Sequence, residues 1–185
     1  IGQTAQASFE VAEAIEAYRF DEAAQLGYRF SWNTFCDWYL EFCKPVLMGD
    51  NSEEKIEVKN TISWVLDQIL KLLHPIMPFV TEELWELLAP DHGRTNLLIS
   101  EAWPNIDQSF QIREVDNEIN WLIRIISEVR TVRSELNVSP SARLPFLLVG
   151  ASRKTRQRLK TQEDLLKQIA RLESVTIVDD VPKGA

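Results

Sequence analysis

The sequence predicts a mainly α protein: an antiparallel helical bundle over residues 1–136, then a small α/β appendage over residues 137–185. Three observations carry that expectation. Tyr28, Trp32, Phe35, Tyr39, Phe42 and Val46 recur at alternating four- and three-residue steps, which gathers large side chains on one face of a helix. Two further stripes keep the same step, Val58–Ile62–Val65–Ile69–Leu72 and Ile112–Val115–Ile119–Leu122–Ile126–Val129. Beyond residue 143 the period changes. Residues 144–149 form a short apolar run ended by Gly150, and SVTIV near residue 176 alternates, both as strands do.

Taken in order, a first amphipathic helix covers residues 4–18, and RFDEAAQ marks its end and the next start, with Asp21 as N-cap and Glu22 at the positive end of the dipole. The aromatic helix covers residues 22–43 and is closed by Pro45, with Gly49 beyond. Its aromatic stripe is read as core. Asp37 and Glu41, one turn apart, are read as a solvated face with Lys44 as counter-charge. Asp50 and Glu53 have capping-box spacing ahead of the second stripe. HPIMP interrupts, Thr81 caps a short helix, Val80 and Trp85 are placed for a hydrophobic staple, and Pro90 stops the helix. Residues 90–110 read as an irregular crossover. The third stripe continues through position 133, an arginine, to Leu136. SRKTRQRLK and EDLLKQIARL are helical.

At 185 residues with 45% apolar content and six Trp, the chain has ample material for a buried core. No run of 18 apolar residues occurs, so no membrane-spanning helix is expected. The start, IGQTAQASFE, has neither an initiator Met nor the basic and apolar regions of a signal peptide, which fits a segment of a longer chain. Cys36 and Cys43, two turns apart on one helix, are too distant for a disulfide and too few for a zinc site. They read as small buried residues of a reducing compartment, the cytoplasm. The net charge of −8 conceals a division. Residues 1–123 hold 8 Lys and Arg against 21 Asp and Glu, whereas residues 124–160 hold 9 against 2. A local field of that kind leaves nucleic-acid binding open despite the acidic total.

Chemistry of a catalytic kind is missing from the motifs. There is no Gly-rich phosphate loop, GxSxG elbow or HExxH pair. The two His are His74, at a helix end where capping or packing suits it, and His92 in an exposed DHGR turn. No metal site is expected, and the chain alone is read as non-catalytic.

NTFCDWYLEFCKPVL, residues 33–47, and KLLHPIMPFVTEELWELL, residues 71–88, resemble the C-terminal helical region of class I aminoacyl-tRNA synthetases, in the branch that handles valine, leucine and isoleucine. The HPIMPF and TEELW strings are shared across that branch. DWYLE-x-x-KP, residues 37–45, and VRTVRSELNVSPSARLP, residues 129–145, are most similar to its valine-specific members. The resemblance implies an anticodon-binding bundle that recognises the anticodon and stem of tRNA(Val) and works beside the catalytic and editing domains of one parent chain, as a monomer. The HIGH-like and KMSKS-like signatures of the catalytic domain are absent, so ATP and Mg²⁺ belong to the parent enzyme and no cofactor to this stretch. An upstream helix patterned like NKIWNAARF and a C-terminal coiled-coil arm, both usual in the family, are not found here. The same domain of an isoleucine or leucine enzyme, and a structural bundle docking a basic protein, are the alternatives.

Unstacked bases are read by aromatic and guanidinium planes, and phosphates are held by Lys and Arg. The candidates for tRNA contact are therefore Arg19 and Arg29 near the helix junction, Trp38 beside the polar face, Lys44 at the helix end, and Arg130 with Arg133. Arg133 is the oddest of these, because its position lies on an apolar seam. Either its head reaches past Leu136 to solvent or the seam opens there onto a polar partner. The basic run at residues 153–160 reads equally as a phosphate track or a solvated face.

Overall fold

The computed structural model describes residues 1–89 and 93–180. The stop at Pro90 and the exposed turn at His92 lie outside the described residues. The chain divides into two compact units, Ile1–Ile112 and Arg113–Ala185. This division falls one helix earlier than the 136/137 boundary expected above, because the long helix of the third stripe packs on the appendage helix.

In the first unit, α1 (Gly2–Glu16) and α2 (Phe20–Tyr28) form a helical hairpin. The turn between them is made by Tyr18, in the left-handed region at φ 60°, and by the Arg19 amide donating to Ala14 O. Asp21 is not the N-cap. Arg19 takes that position without a side-chain cap bond, and Asp21 and Glu22 sit in the first turn, where a carboxylate complements the dipole. From Tyr28 the helix continues as a π-wound stretch, Arg29–Tyr39, and returns to α winding in α3 (Leu40–Met48).

Pro45 lies inside α3 and does not end it. The helix closes one turn later, where the Gly49 amide bonds back to Pro45 O and Val46 O at 3.2 Å. The missing proline donor is thus confined to the final turns.

The π winding also corrects the aromatic seam. A bond from i to i+5 adds most of a residue to each turn, so a 3.6-residue projection drifts. Tyr28 and Trp32, assigned above to the core, are 59% and 54% exposed. The buried face instead runs Ala23, Gly27, Phe30, Phe35, Cys43, with a five-residue step across the widest part. Phe35 is core as expected, and Tyr39, Phe42 and Val46 are half-buried.

α4 (Glu53–Leu73) begins at Ser52, whose hydroxyl accepts the Lys55 amide at 3.1 Å. Ser52 displaces the Asp50–Glu53 box because Glu53 is already helical. The stripe then lies as predicted, with Val65, Ile69 and Leu72 buried in a cluster that includes Val11, Ala14, Phe30 and Phe35. Gly27 of α2 lies under α4, where a Cβ would stand 2.9 Å from Leu73 Cδ2. Trp103 and Gln108, in the crossover, return to α1. Trp103 Nε1 donates to Ser8 O at 3.2 Å and Gln108 Nε2 to Ala5 O at 3.3 Å.

Tyr39 is embedded between α3 and α4, with Cys43 and Thr61 beside its hydroxyl. Burial, then the neighbouring Cys43, pushes its phenol up to about 12. The unfolded phenol ionises near pH 10, so the neutral side chain contributes stability that is complete below that pH and lost as pH rises through 12. Urea unfolding followed by far-UV circular dichroism should therefore show stability falling between pH 10 and 12, tracked by tyrosinate absorbance. Tyr39→Phe should flatten that fall, and a variant with the wild-type pH dependence would refute the assignment.

α5 (Pro78–Leu87) starts with Pro78 in its first turn. Thr81 is accordingly inside the helix, not its cap, and donates to Met77 O at 2.8 Å. Val80 is exposed, so no staple forms with Trp85. Trp85 packs with Leu70 and Leu98 instead, and the described residues of the crossover beyond it include short 3-10 turns at Leu98–Ser100 and Gln108–Phe110.

The second unit starts with α6 (Arg113–Glu135), in which Leu122 and Ile126 are fully buried. Strand β1 (Leu144–Val149), helix α7 (Arg153–Ala170) and strand β2 (Leu172–Val178) follow as a β-α-β unit. The two strands pair in parallel from Leu144 opposite Leu172 to Val149 opposite Val178. Leu159, Leu166 and Ala170 supply the buried stripe of α7. Glu118 ties α6 to it by accepting from Gln162 Nε2 at 2.7 Å.

Candidate nucleic-acid interface

The expected contacts fall into two groups, one in each unit. In the first unit, Arg19 and Arg29 line a groove of about 470 Å³ between α1 and α2, together with Gln6, Glu10, Glu13 and Glu22. Arg19 donates from Nε to Glu22 at 2.6 Å, and Arg29 is exposed. The groove is thus of mixed charge. It offers amide and guanidinium donors beside carboxylate acceptors, a set suited to base edges more than to phosphate.

Trp38 is half-buried, its ring tilted against Phe42 at 5.8 Å between centroids. Lys44 donates to Glu41, the counter-charge relation that the sequence suggested. The exposed pair Tyr28 and Trp32, one turn apart, offers more open ring surface than Trp38. Sequence reasoning missed these two because it placed them in the core. The signal for them was the length of the aromatic run, which exceeds what one helical face buries.

In the second unit, Arg130 and Arg133 line a concavity of about 610 Å³ at the C-terminal end of α6, with Ser134, Asn137, Ser139 and Arg171. Arg133 meets a polar partner on its seam. Its Nη2 donates to Ser139 O at 3.0 Å and Ala142 O at 2.8 Å, holding the loop that follows Asn137. Its Nη1 is buried without a hydrogen-bond partner. Arg171, in the left-handed region at φ 54°, donates to Pro140 O from the opposite side of that loop. Sequence reasoning did not single out Arg171, although an arginine following a helix end is a frequent loop clamp.

His74 takes the packing role expected of it. The Thr81 hydroxyl lies 2.8 Å from both Met77 O and His74 Nδ1 and is shared between them. Nearby, the Glu82 carboxylate accepts the amides of Leu98 at 2.7 Å and Ile99 at 3.3 Å. Lys71 pairs with Glu101 at 3.1 Å and holds that carboxyl below the usual carboxylate range. These polar groups fasten the crossover to α4 and α5. Among the described residues, no group of three or more His, Cys, Asp or Glu is placed to hold a metal ion, and no helix is long and apolar enough to cross a membrane.

The first unit is thus a helical bundle whose α1–α2 groove carries guanidinium, amide and carboxylate groups. The family model described as the anticodon-binding domain of tRNA ligase matches residues 1–148, and the chain belongs to that family. Along its full length it is 48% identical to a valine–tRNA ligase of Caulobacter vibrioides, covering 20% of that protein. It is 46% identical over 97% of its length to one from Mesorhizobium japonicum, covering 19%. A Rhizobium meliloti counterpart is 47% identical over 95% of this chain, which covers 18% of it. The chain therefore spans about a fifth of the length of the curated relatives it matches.

Proposed function

We propose that this chain is the anticodon- and stem-binding part of a valine–tRNA ligase, the enzyme that joins valine to tRNA(Val) at the expense of ATP. The observation that carries the reading is the agreement with valine–tRNA ligases over the whole chain, strands and α7 included, at 48% identity. The chain itself performs no catalysis. ATP and Mg²⁺ act in the catalytic domain of the parent, which with the editing domain and tRNA(Val) makes up its partners, in the cytoplasm and as a monomer. Binding energy gained on the anticodon, far from the reacting carboxyl, then favours the cognate tRNA in the transition state.

Within this reading, Arg19, Arg29, Trp38 and Lys44 contact RNA from the first unit, and Arg130 and Arg133 from the second. The test is binding to tRNA(Val), tRNA(Ile) and a tRNA(Val) with swapped anticodon, at two salt concentrations. The swap should weaken binding by about tenfold or more, within the ~1–3 kcal/mol that one stacked base contributes. Equal binding to all three would refute anticodon reading by these residues. A preference for tRNA(Ile) would reassign the chain to the isoleucine branch.

A further inference from the structure

Cations in the two units are disposed differently. In the first, Arg19, Lys44, Lys71 and Arg94 each face a carboxylate within an ion pair, leaving Arg29, Lys55 and Lys59 without one among the described residues. In the second, Arg153, Lys154, Arg156 and Lys160 are all exposed on α7, and among the described residues none is in an ion pair. Among the described residues, the α7 cation held by carboxylates is Lys167, about two turns beyond Lys160, against Glu163 and Asp164.

Their placement is costly for the fold. Helices α2, α4 and α6 carry Asp21 and Glu22, Glu53 and Glu54, and Glu114 and Asp116 in their first turns, as the positive end of a helix dipole favours. The first turn of α7 has no acidic residue and three cations within four positions, so dipole and neighbours both repel them. Core packing does not require this, because the buried side chains of α7 are Leu159, Leu166 and Ala170.

Arg153, Arg156 and Lys160 share one stripe at helical spacing. The stripe is about 10 Å long, the length of about three phosphates on one strand. Beside this helix lies a groove of about 690 Å³ lined by Arg124 and Trp121 of α6 and by Ser152 and Thr155. Arg158 lies over the Trp121 ring at 5.5 Å. By helical spacing Arg158, and with it the Trp121 ring, lies on the other flank of α7, so the stripe offers charge for phosphate and no stacking plane.

We infer that the exposed basic face of α7, outside the 1–148 stretch assigned to the anticodon-binding family, is a second RNA contact that grips the phosphodiester backbone without reading sequence. It rests on the reading of the chain as a tRNA binder and adds a site to it. It supplies the electrostatic attraction that the acidic first unit lacks.

The test compares the 185-residue chain with its Arg153→Gln/Arg156→Gln/Lys160→Gln variant, titrated with tRNA(Val) and the anticodon-swapped tRNA between 50 and 200 mM salt. All three positions are exposed, so the variant should keep the wild-type helical signal. Its dependence of log K on log salt should be shallower by about two to three units. Over that fourfold change in salt the wild type then loses about 20- to 40-fold more affinity than the variant. The ratio between cognate and swapped tRNA should not move. A Lys55→Gln/Lys59→Gln chain, with cations removed from α4, should keep the wild-type slope.

A triple variant with wild-type slope, in a chain that still discriminates tRNA(Val), would overturn this inference and leave the anticodon reading standing. A shallower slope without anticodon discrimination would do the reverse. A wild-type chain that binds neither tRNA at 50 mM salt would overturn both. Stronger binding to phosphatidylserine vesicles than to tRNA, abolished in the triple variant, would assign the face to a lipid surface instead.

Discussion

Trp85→Ala should lower the stability of the first unit by about 3–5 kcal/mol, the range for removing a buried aromatic, and its melting temperature by about 13–21 °C. Trp85 is 6% exposed, and more than hydrophobic area depends on it. Arg94 lies flat on its ring, guanidinium carbon 3.4 Å from the centroid. The same guanidinium donates to both oxygens of Asp67, at 2.7 and 3.3 Å, and to Trp85 O at 2.8 Å. Trp85 Nε1 donates to Asn96 O at 3.1 Å.

Removing the ring therefore opens a cavity against Leu70 and Leu98 and withdraws the platform on which Arg94 is stacked. Urea unfolding followed by circular dichroism measures the loss. Arg94→Met should cost less, and the double variant should cost less than the sum of the two single ones, because they share one interaction. Strict additivity would mean that stack and salt bridge are independent.

Arg133→Met is the second large effect, about 2–3 kcal/mol in the second unit. Two charge-assisted bonds from Nη2 to Ser139 O and Ala142 O would be lost, leaving two carbonyls without their donor. Methionine keeps the apolar stem that fills the seam, so packing is largely retained. The readout that separates this role from direct RNA contact is amide exchange at residues 137–143 in the free protein. Exchange there should quicken in Arg133→Met even without RNA. Unchanged protection would refute the clamp and leave only the proposed RNA contact for Arg133.

The sequence reveals elements wherever the backbone keeps the period that a pattern assumes. The stripe of α4 reads directly, since Val65, Ile69 and Leu72 are buried as their spacing requires. So does the inner part of α6 at Leu122 and Ile126. It fails over Arg29–Tyr39 because winding from i to i+5 has no signature in residue type, and a 3.6-residue wheel then sends Tyr28 and Trp32 inward. Caps fail for a different reason. Asp50, Ser52 and Glu53 all suit an N-terminus, and only the entry angle of the chain selects Ser52.

The interface was legible as a set of residue types and not as pairings. Lys44 and Arg19 were visible as cations, but their engagement with Glu41 and Glu22 depends on rotamers. Arg133 was visible as an anomaly on its seam. What resolved it, the carbonyls of Ser139 and Ala142, lies in a loop whose path no periodicity records.

The crossover that returns to α1 has a consequence for how the first unit is made. Trp103 reaches Ser8 across 95 positions and Gln108 reaches Ala5 across 103. On a ribosome adding about 5–20 residues each second, the first helix waits roughly 5–20 s before its last partners exist. Throughout that interval the side of α1 destined for Trp103 faces water or a chaperone. Helix α1 is thus synthesised ahead of the rest of the first unit and is among the last of its elements completed, and slow translation of the crossover would prolong its exposure rather than shelter it.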